Sequence, residues 1–270
     1  MPEKAPLETV QTLTIQTKNL NGEFEAAQGT ITIQALEQPK QVYLNRYWQQ
    51  PDQYLIAQKD YQIYFPHFAY ANEHEIQNWK TGKTVLETTF NTAEQDKLIP
   101  NLKTGSYVLI LKTADKYGQA VELRKYFTVY DLANKQVPFA DLGWQKLEKA
   151  SYEPTETANI FLGTATKELK VLFEVEKNQN IVRREWLTVK DFMQLLVPIQ
   201  EEDRGNIHYY VSYVYNNRSF QDSETIQVPW SNKDLKIEYS TFRSKLKPGQ
   251  EEEWRIKISG PKSEKVAAEW

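Results

Sequence analysis

Cysteine is absent from this 270-residue sequence, and histidine occurs only three times. The lack of cysteine excludes a disulfide framework, a thiolate metal site and a cysteine nucleophile. The stretch HEIQN resembles half of a zinc-binding helix, but four residues after His74 stands Asn78, so the second imidazole is missing. We therefore expect the histidines to be surface or half-buried polar residues, and we predict no metal site.

Long apolar runs and an excess of one charge are also missing. No run approaches the roughly 20 apolar residues that a membrane span requires, and the N-terminal stretch MPEKAPLETV lacks the apolar core of a signal peptide. The formal net charge is only −3. The sequence therefore predicts neither a nucleic acid nor a membrane surface as a partner.

No catalytic signature is recognisable. The ten glycines are scattered through turns and form no phosphate-binding loop, dinucleotide fingerprint or nucleophile elbow. Glu251, Glu252 and Glu253 are consecutive, but neighbouring residues of a strand point to opposite faces, so these carboxylates cannot converge on one substrate atom. We predict that the chain is not an enzyme and has no cofactor.

Antiparallel β-structure dominates what is present. Aromatic residues make up 13% of the sequence, and alternating runs rich in Val, Ile and Thr recur between short turns. Short turns join antiparallel strands only. The predicted hairpin pairs are SYVLILKT with AVELRKYFTVY, ELKVLFEV with IVRREWLTV, and IHYYVSYVY with ETIQVPW. Two further runs, TLTIQT and GTITIQAL, flank a turn at Asn21-Gly22.

One long stretch, from about residue 37 to residue 91, interrupts this pattern and is predicted to be an insertion between strands. It contains two candidate helices, AQKDYQIYFP and NEHEIQNWKTG, the second closed by Gly82. Aromatic residues concentrate in RYWQQPDQY and YFPHFAY. If exposed, they could stack on sugar rings or dock a partner protein; if buried, they would form the small core of the insertion. The candidate contact residues are Tyr47, Trp48, Tyr54, Phe68 and Tyr70.

A repeat defines the predicted domains. A turn with a proline followed by an alternating strand occurs at Pro154 and again at Pro248, about 94 residues apart, which is the size of one β-sandwich. We predict an all-β chain of antiparallel sandwiches in tandem: residues 1–132 with the insertion, residues 133–230, and at 231–270 the first strands of a third. That third segment supplies too few strands to close a sandwich, so we expect it to be cut short, and the chain to belong to a longer protein.

Several of these strings together resemble the bacterial alpha-2-macroglobulin family, and most closely its large lipoprotein-like members from the Bacteroidetes. They are TIQTKNLNGEFEAAQGTITIQAL, RYWQQPDQY, YFPHFAY, LKTGSYVLILKTADKYGQAVELRKYFTVYD and LKPGQEEEWRIKISGPKSEKVAAE. The resemblance implies fibronectin-like macroglobulin (MG) domains that build a proteinase trap, in which a proteinase cuts a bait segment. It also implies that LKPGQEEEW opens the domain that carries the bait region, with the bait segment itself beyond Trp270. The thioester of many members requires cysteine and cannot lie here.

Two functions are therefore predicted from different classes. The first is a non-catalytic scaffold portion of a proteinase-trapping inhibitor in the periplasm or at the cell surface, with a lipid anchor on an N-terminal segment outside this sequence. Its partners would be neighbouring MG domains and the trapped proteinases. The alternative is a sandwich module that binds carbohydrate or a cell-surface ligand through the aromatic insertion.

Overall fold

A computed structural model shows that the chain has an all-β fold, as the sequence predicts. Strands account for 51% of the described residues and helices for 8%. The structure describes residues 2–94, 97–115, 117–135, 140–241, 249 and 255–260. Within these ranges no helix is both long and apolar enough to cross a bilayer.

The chain divides into two compact units. The first contains Met1–Lys146, Phe161–Lys170 and Thr188–Gln194, and the second contains Leu147–Ile160, Val171–Leu187 and Leu195–Trp270.

The first unit is built on a five-stranded sheet in the order β1-β7-β6-β3-β4. β1 pairs with β7 in parallel, and the other neighbours pair antiparallel. A two-stranded ribbon of β2 and β5 accompanies the sheet. The elements are β1 (Lys4–Pro6), β2 (Leu13–Thr14), β3 (Gln28–Glu37), α1 (Gln58–Tyr64), β4 (Lys80–Asn91), β5 (Lys97–Leu98), β6 (Gly105–Ala114) and β7 (Ala120–Tyr130).

One face of this sheet holds the core of the first unit. Ile33, Tyr107, Phe127 and Val129 are buried there together with Val10, which follows β1. Alternation places these side chains on a single face because successive residues of a strand point to opposite sides. The β6–β7 hairpin that the sequence predicts is confirmed, with register from Gly105–Val129 to Ala114–Ala120.

The remaining strands form three further sheets, in the orders β11-β10-β13-β14, β12-β9-β8 and β15-β16. In the four-stranded sheet, Phe173, Ile207, Tyr209 and Ile226 are fully buried. The strands are β8 (Trp144–Leu147), β9 (Thr157–Gly163), β10 (Leu169–Lys177), β11 (Asn180–Val189), β12 (Phe192–Pro198), β13 (Gly205–Tyr215), β14 (Arg218–Val228), β15 (Lys236–Thr241) and β16 (Arg255–Ser259).

Two-residue turns close the hairpins β10–β11 and β13–β14, and both hairpins are confirmed. Asn178 and Gln179 have φ of 48° and 63°, and Asn216 and Asn217 have φ of 47° and 59°. Two successive residues with positive φ define the turn whose twist matches that of antiparallel strands, and asparagine tolerates this conformation best after glycine. The second turn is shorter than the eight residues NNRSFQDS predicted to form it.

Three predictions for the first unit were wrong. The insertion does not extend to residue 91, because Lys80–Asn91 is strand β4 and pairs with β3 along most of its length. The stretch NEHEIQNWKTG is not a helix; it contains only a 3-10 turn at Ile76–Asn78 and then enters β4. Of the run TLTIQT, only Leu13 and Thr14 are a strand.

In the final segment, β15 pairs antiparallel with β16, which confirms the predicted strand around Ile256 and Ile258. Pro248, the three glutamates before Trp254, Trp254 itself and the predicted strand after Pro261 lie outside the described residues.

Candidate functional site

The insertion, which we now define as residues 38–79, leaves the five-stranded sheet at the end of β3 and returns at β4. The helix predicted in AQKDYQIYFP is confirmed as α1, with Asp60 in its first turn and its last residue two positions before Pro66. No residue of α1 is buried. A helix of seven residues is too short to be stable alone, so its stability depends on contacts within the insertion.

Tilted and edge-to-face aromatic rings supply contacts of this kind. The ring centroids of Tyr54 and Tyr70 are 4.5 Å apart, those of Tyr61 and Tyr70 are 5.3 Å apart, and those of Tyr61 and Phe65 are 5.0 Å apart. The guanidinium of Arg46 lies 5.8 Å from the centroid of Tyr61 and donates to the carbonyl of Tyr70 at 3.0 Å. This tyrosine cluster ties α1 to the chain on both sides of it.

The five predicted contact residues separate into two pairs and one single residue. Tyr54 and Tyr70 belong to the tyrosine cluster. Trp48 packs on Phe68, with the ring centroids 5.5 Å apart and an interplanar angle of 49°. Tyr47 is 78% exposed, and Trp48 is 52% exposed. The interpretations "exposed" and "buried" therefore apply to different members of the set: Phe68 and Tyr70 are half-buried. Tyr47, Trp48 and Tyr54 are exposed.

A carboxylate fixes the chain after the tyrosine cluster. The Glu73 carboxylate accepts hydrogen bonds from the backbone N–H groups of Tyr70 and Ala71, both at 2.7 Å, and the indole of Trp79 donates to the Glu73 carbonyl at 3.2 Å. Partial burial opposes ionisation of Glu73, but these backbone donors outweigh it and lower the pKa of this carboxyl below its usual range. Glu73 is therefore ionised at neutral pH, and its carboxylate holds the backbone of Tyr70 and Ala71 in place.

An open groove of about 290 Å³ runs along the Trp48 side of the insertion. Its lining combines one exposed indole with amide and charged side chains, which the sequence analysis did not single out. The lining residues are Leu44, Asn45, Arg46, Trp48, Gln50, Ala69, Asn72, His74 and Glu75. The available signal was the interleaving of aromatic and amide residues in RYWQQ.

The histidines do not converge. His74 borders the groove, and His208, on β13, hydrogen-bonds Thr225 through Nδ1 at 3.0 Å. Over the described ranges, no group of three histidine or carboxylate side chains is arranged to hold a metal ion.

Comparison with known proteins finds a family match in the second half of the chain. Residues 144–267 match the alpha-2-macroglobulin bait region domain. The match begins in the second predicted sandwich, so the prediction that the bait region domain opens at Leu246 was wrong. The turn-and-strand pattern at Pro248 also occurs at Pro154, and a repeat does not show which copy starts a given domain. No curated protein sequence matches significantly.

Solved structures with some similarity include alpha-2-macroglobulins of two bacteria. The native conformation of the Escherichia coli protein is 17% identical, with 94% of this chain and 15% of that chain covered and a TM-score of 0.35. A mutant of the Salmonella protein is 12% identical, with 88% and 16% covered and a TM-score of 0.28. The chain thus spans about 15% of the Escherichia coli structure. Over residues 144–267 the chain is thus similar to the bait region domain of the alpha-2-macroglobulin family.

Proposed function

We propose that the chain is a non-catalytic scaffold portion of an alpha-2-macroglobulin-like proteinase-trapping inhibitor. The observation that carries this proposal is the bait region domain match over residues 144–267. A trap that encloses a proteinase after cleavage needs units that keep their own shape while the molecule rearranges around them.

The loops around Arg204 in the second unit support the scaffold role. The Arg204 side chain is only 8% exposed. Its guanidinium donates to the Glu201 carboxylate at 2.6 Å, to the Ser231 hydroxyl at 3.1 Å and to the carbonyl of Pro229. Ser231 in turn donates to Glu153 at 2.8 Å. Charge-assisted bonds from one planar group hold three segments in fixed register, which suits a rigid module.

A buried ion pair stiffens the same unit. Lys177 at the end of β10 donates to Asp203 at 2.7 Å, and the Asp203 side chain is 1% exposed. The same oxygen accepts from the backbone of Gln200 at 2.8 Å and caps the 3-10 turn Glu201–Asp203.

We further propose the domain division 1–132, 133–230 and 231–270, the last as the first strands of a third MG-type domain. Neighbouring MG domains and trapped proteinases are the proposed partners. A periplasmic or cell-surface location, with a lipid anchor outside this sequence, completes the proposal.

The test uses the product of the whole gene that encodes this chain. It is incubated with trypsin, and the residual activity is measured on a small chromogenic peptide and on intact casein. A trap protects the active site from large substrates only, so casein cleavage should fall at least tenfold more than peptide cleavage. Equal inhibition of both substrates, or no inhibition, would exclude trapping. Mass spectrometry of the first cuts should locate them outside the described strands.

A further inference from the structure

We propose that the groove beside Trp48 is a carbohydrate-binding site for a neutral pyranose. This inference is independent of the proposed proteinase-trapping function, because it concerns the insertion of the first unit and not the bait region domain. It rests on the combination of one exposed, supported indole with planar polar groups along the same groove.

Trp48 provides an apolar platform of fixed orientation. Half of the side chain is exposed, although tryptophan is usually largely buried. Packing of the indole on Phe68 restricts its rotation, so the exposed surface is ordered before a ligand arrives. The C–H bonds on one side of a pyranose ring form an apolar patch that stacks on such a ring, while the hydroxyls remain at the edge for hydrogen bonds.

The polar groups around the platform are already held in place. The Glu75 carboxylate accepts from the amides of Gln77 at 2.7 Å and Asn78 at 3.0 Å, and both amides bind the same oxygen, Oε2. Oε1 can therefore accept from a sugar hydroxyl. Arg46 uses one N–H of its Nη2 for the carbonyl of Tyr70, and a guanidinium carries five N–H donors, so donors remain for the ligand.

Gln50 completes the acceptor and donor set. Its Nε2 donates to the hydroxyl of Tyr54, which fixes the amide plane and directs Oε1 away from that bond. Oε1 of Glu75 and Oε1 of Gln50 can each accept from one sugar hydroxyl, and the remaining N–H groups of Arg46 can donate to neighbouring hydroxyl oxygens. A pyranose presents donors and acceptors of this kind around its ring edge.

The lining favours a neutral sugar over an apolar peptide or an acidic glycan. An apolar peptide would need a continuous apolar floor, but Leu44 and Ala69 are buried, at 7% and 3% exposure, which leaves the polar side chains as the exposed surface around Trp48. One cation, Arg46, and one carboxylate, Glu75, balance each other, so the groove offers no net charge to a uronate or a sulfated sugar.

The test is a glycan array probed with the 270-residue chain, with neutral hexose and N-acetylhexosamine oligosaccharides alongside uronates and sulfated sugars. The strongest neutral oligosaccharide is then titrated by calorimetry against Trp48→Ala and against Trp186→Ala. Trp186 is a matched control, because it is 70% exposed on β11 in the other unit. We expect Trp48→Ala to weaken binding by about tenfold or more and Trp186→Ala to leave it unchanged.

A second variant distinguishes specific recognition of the sugar from nonspecific adsorption to an exposed apolar surface. Glu75→Gln keeps the shape and removes the charge, and we expect several-fold weaker binding of the same oligosaccharide. Circular dichroism of each variant confirms that it is folded. The proposal is overturned if no neutral glycan binds, if Trp48→Ala and Trp186→Ala behave alike, or if binding is confined to acidic glycans. Binding of apolar peptides that Trp48→Ala abolishes would also overturn it and would assign the groove to a protein partner.

Discussion

Gly29, on the interior strand β3, is the glycine of the first sheet at which one added methyl group should be most destabilising. A Cβ built on Gly29 would lie 2.0 Å from the carbonyl oxygen of Lys112 and 2.9 Å from Cε1 of Phe90, whereas ordinary contact begins at 3.4 Å. The backbone of Gly29 is not in the left-handed region, so strain of φ adds nothing to this clash. The obstacle at Lys112 is backbone, which cannot rotate away as a flexible side chain would.

The cost follows from what must move. Relief of the clash requires β3 and β6 to separate by more than an ångström at the Gly29–Thr113 pair, which is the last pair of their ladder. That separation breaks one or two interstrand hydrogen bonds, at about 1 kcal/mol each, and overpacking adds about 1–3 kcal/mol. We expect Gly29→Ala to lower the free energy of unfolding of the first unit by about 3 kcal/mol.

Gly82, on β4 of the same sheet, is the matched control. A Cβ there would lie 3.5 Å from the nearest atom, the carbonyl oxygen of Ala35, which is ordinary contact. Gly82→Ala should change stability by less than about 1 kcal/mol, and in the stabilising direction if the unfolded-state effect dominates. Urea unfolding followed by circular dichroism, and hydrogen exchange of peptides from β3 and β6, measure the difference. Equal stability of the two variants would show that the close approach of β3 and β6 is not the reason why residue 29 is a glycine.

Three further predictions concern charged and buried groups. Asp203→Ala should destabilise the second unit by about 3 kcal/mol in urea unfolding, because it removes the partner of Lys177 and a turn cap together; a loss below about 1 kcal/mol would contradict the buried-pair argument. Glu73→Gln should cost about 1 kcal/mol at pH 7. Since folding lowers the pKa of Glu73, its contribution is present above the unfolded pKa near 4.5 and is lost as the pH falls, so variant and parent should converge in acid; a constant difference down to pH 2 would refute this. Burial and the hydrogen bond to Glu224 raise the pKa of Tyr209, so the tyrosine contributes stability below its unfolded pKa near 10 that is lost at higher pH. The parent should therefore lose stability above pH 10 more steeply than Tyr209→Phe, and parallel alkaline unfolding curves would show that Tyr209 does not titrate on unfolding.

Local pattern was sufficient for the hairpins and for α1. Alternation with period two defines a strand, and asparagines at a two-residue turn bring the following strand back antiparallel, so β10–β11 and β13–β14 depend on residues next to one another in sequence. The helix α1 likewise begins near Asp60 and ends before Pro66 for local reasons.

Strand β4 could not be recognised in this way. It lies at the edge of its sheet, only Phe90 along it is buried, and its sequence KTGKTVLETTFN therefore carries little hydrophobic alternation. What makes it a strand is pairing with β3, from which the whole insertion separates it in sequence. Conversely, TLTIQT alternates well, but within the described part of the chain only its Leu13 and Thr14 pair in a strand ladder, with Leu98 and Lys97.

The sequence by itself determined the all-β class, the hairpins with short turns and the aromatic character of the insertion, because these depend on composition and on spacing between near neighbours. Only the tertiary structure decided which aromatic rings face solvent, which polar side chains gather beside Trp48 and which distant segment completes the first sheet. Exposure and convergence are properties of pairs of residues far apart in the chain, and hydrogen bonds and packing between distant segments leave no periodic signal in the sequence.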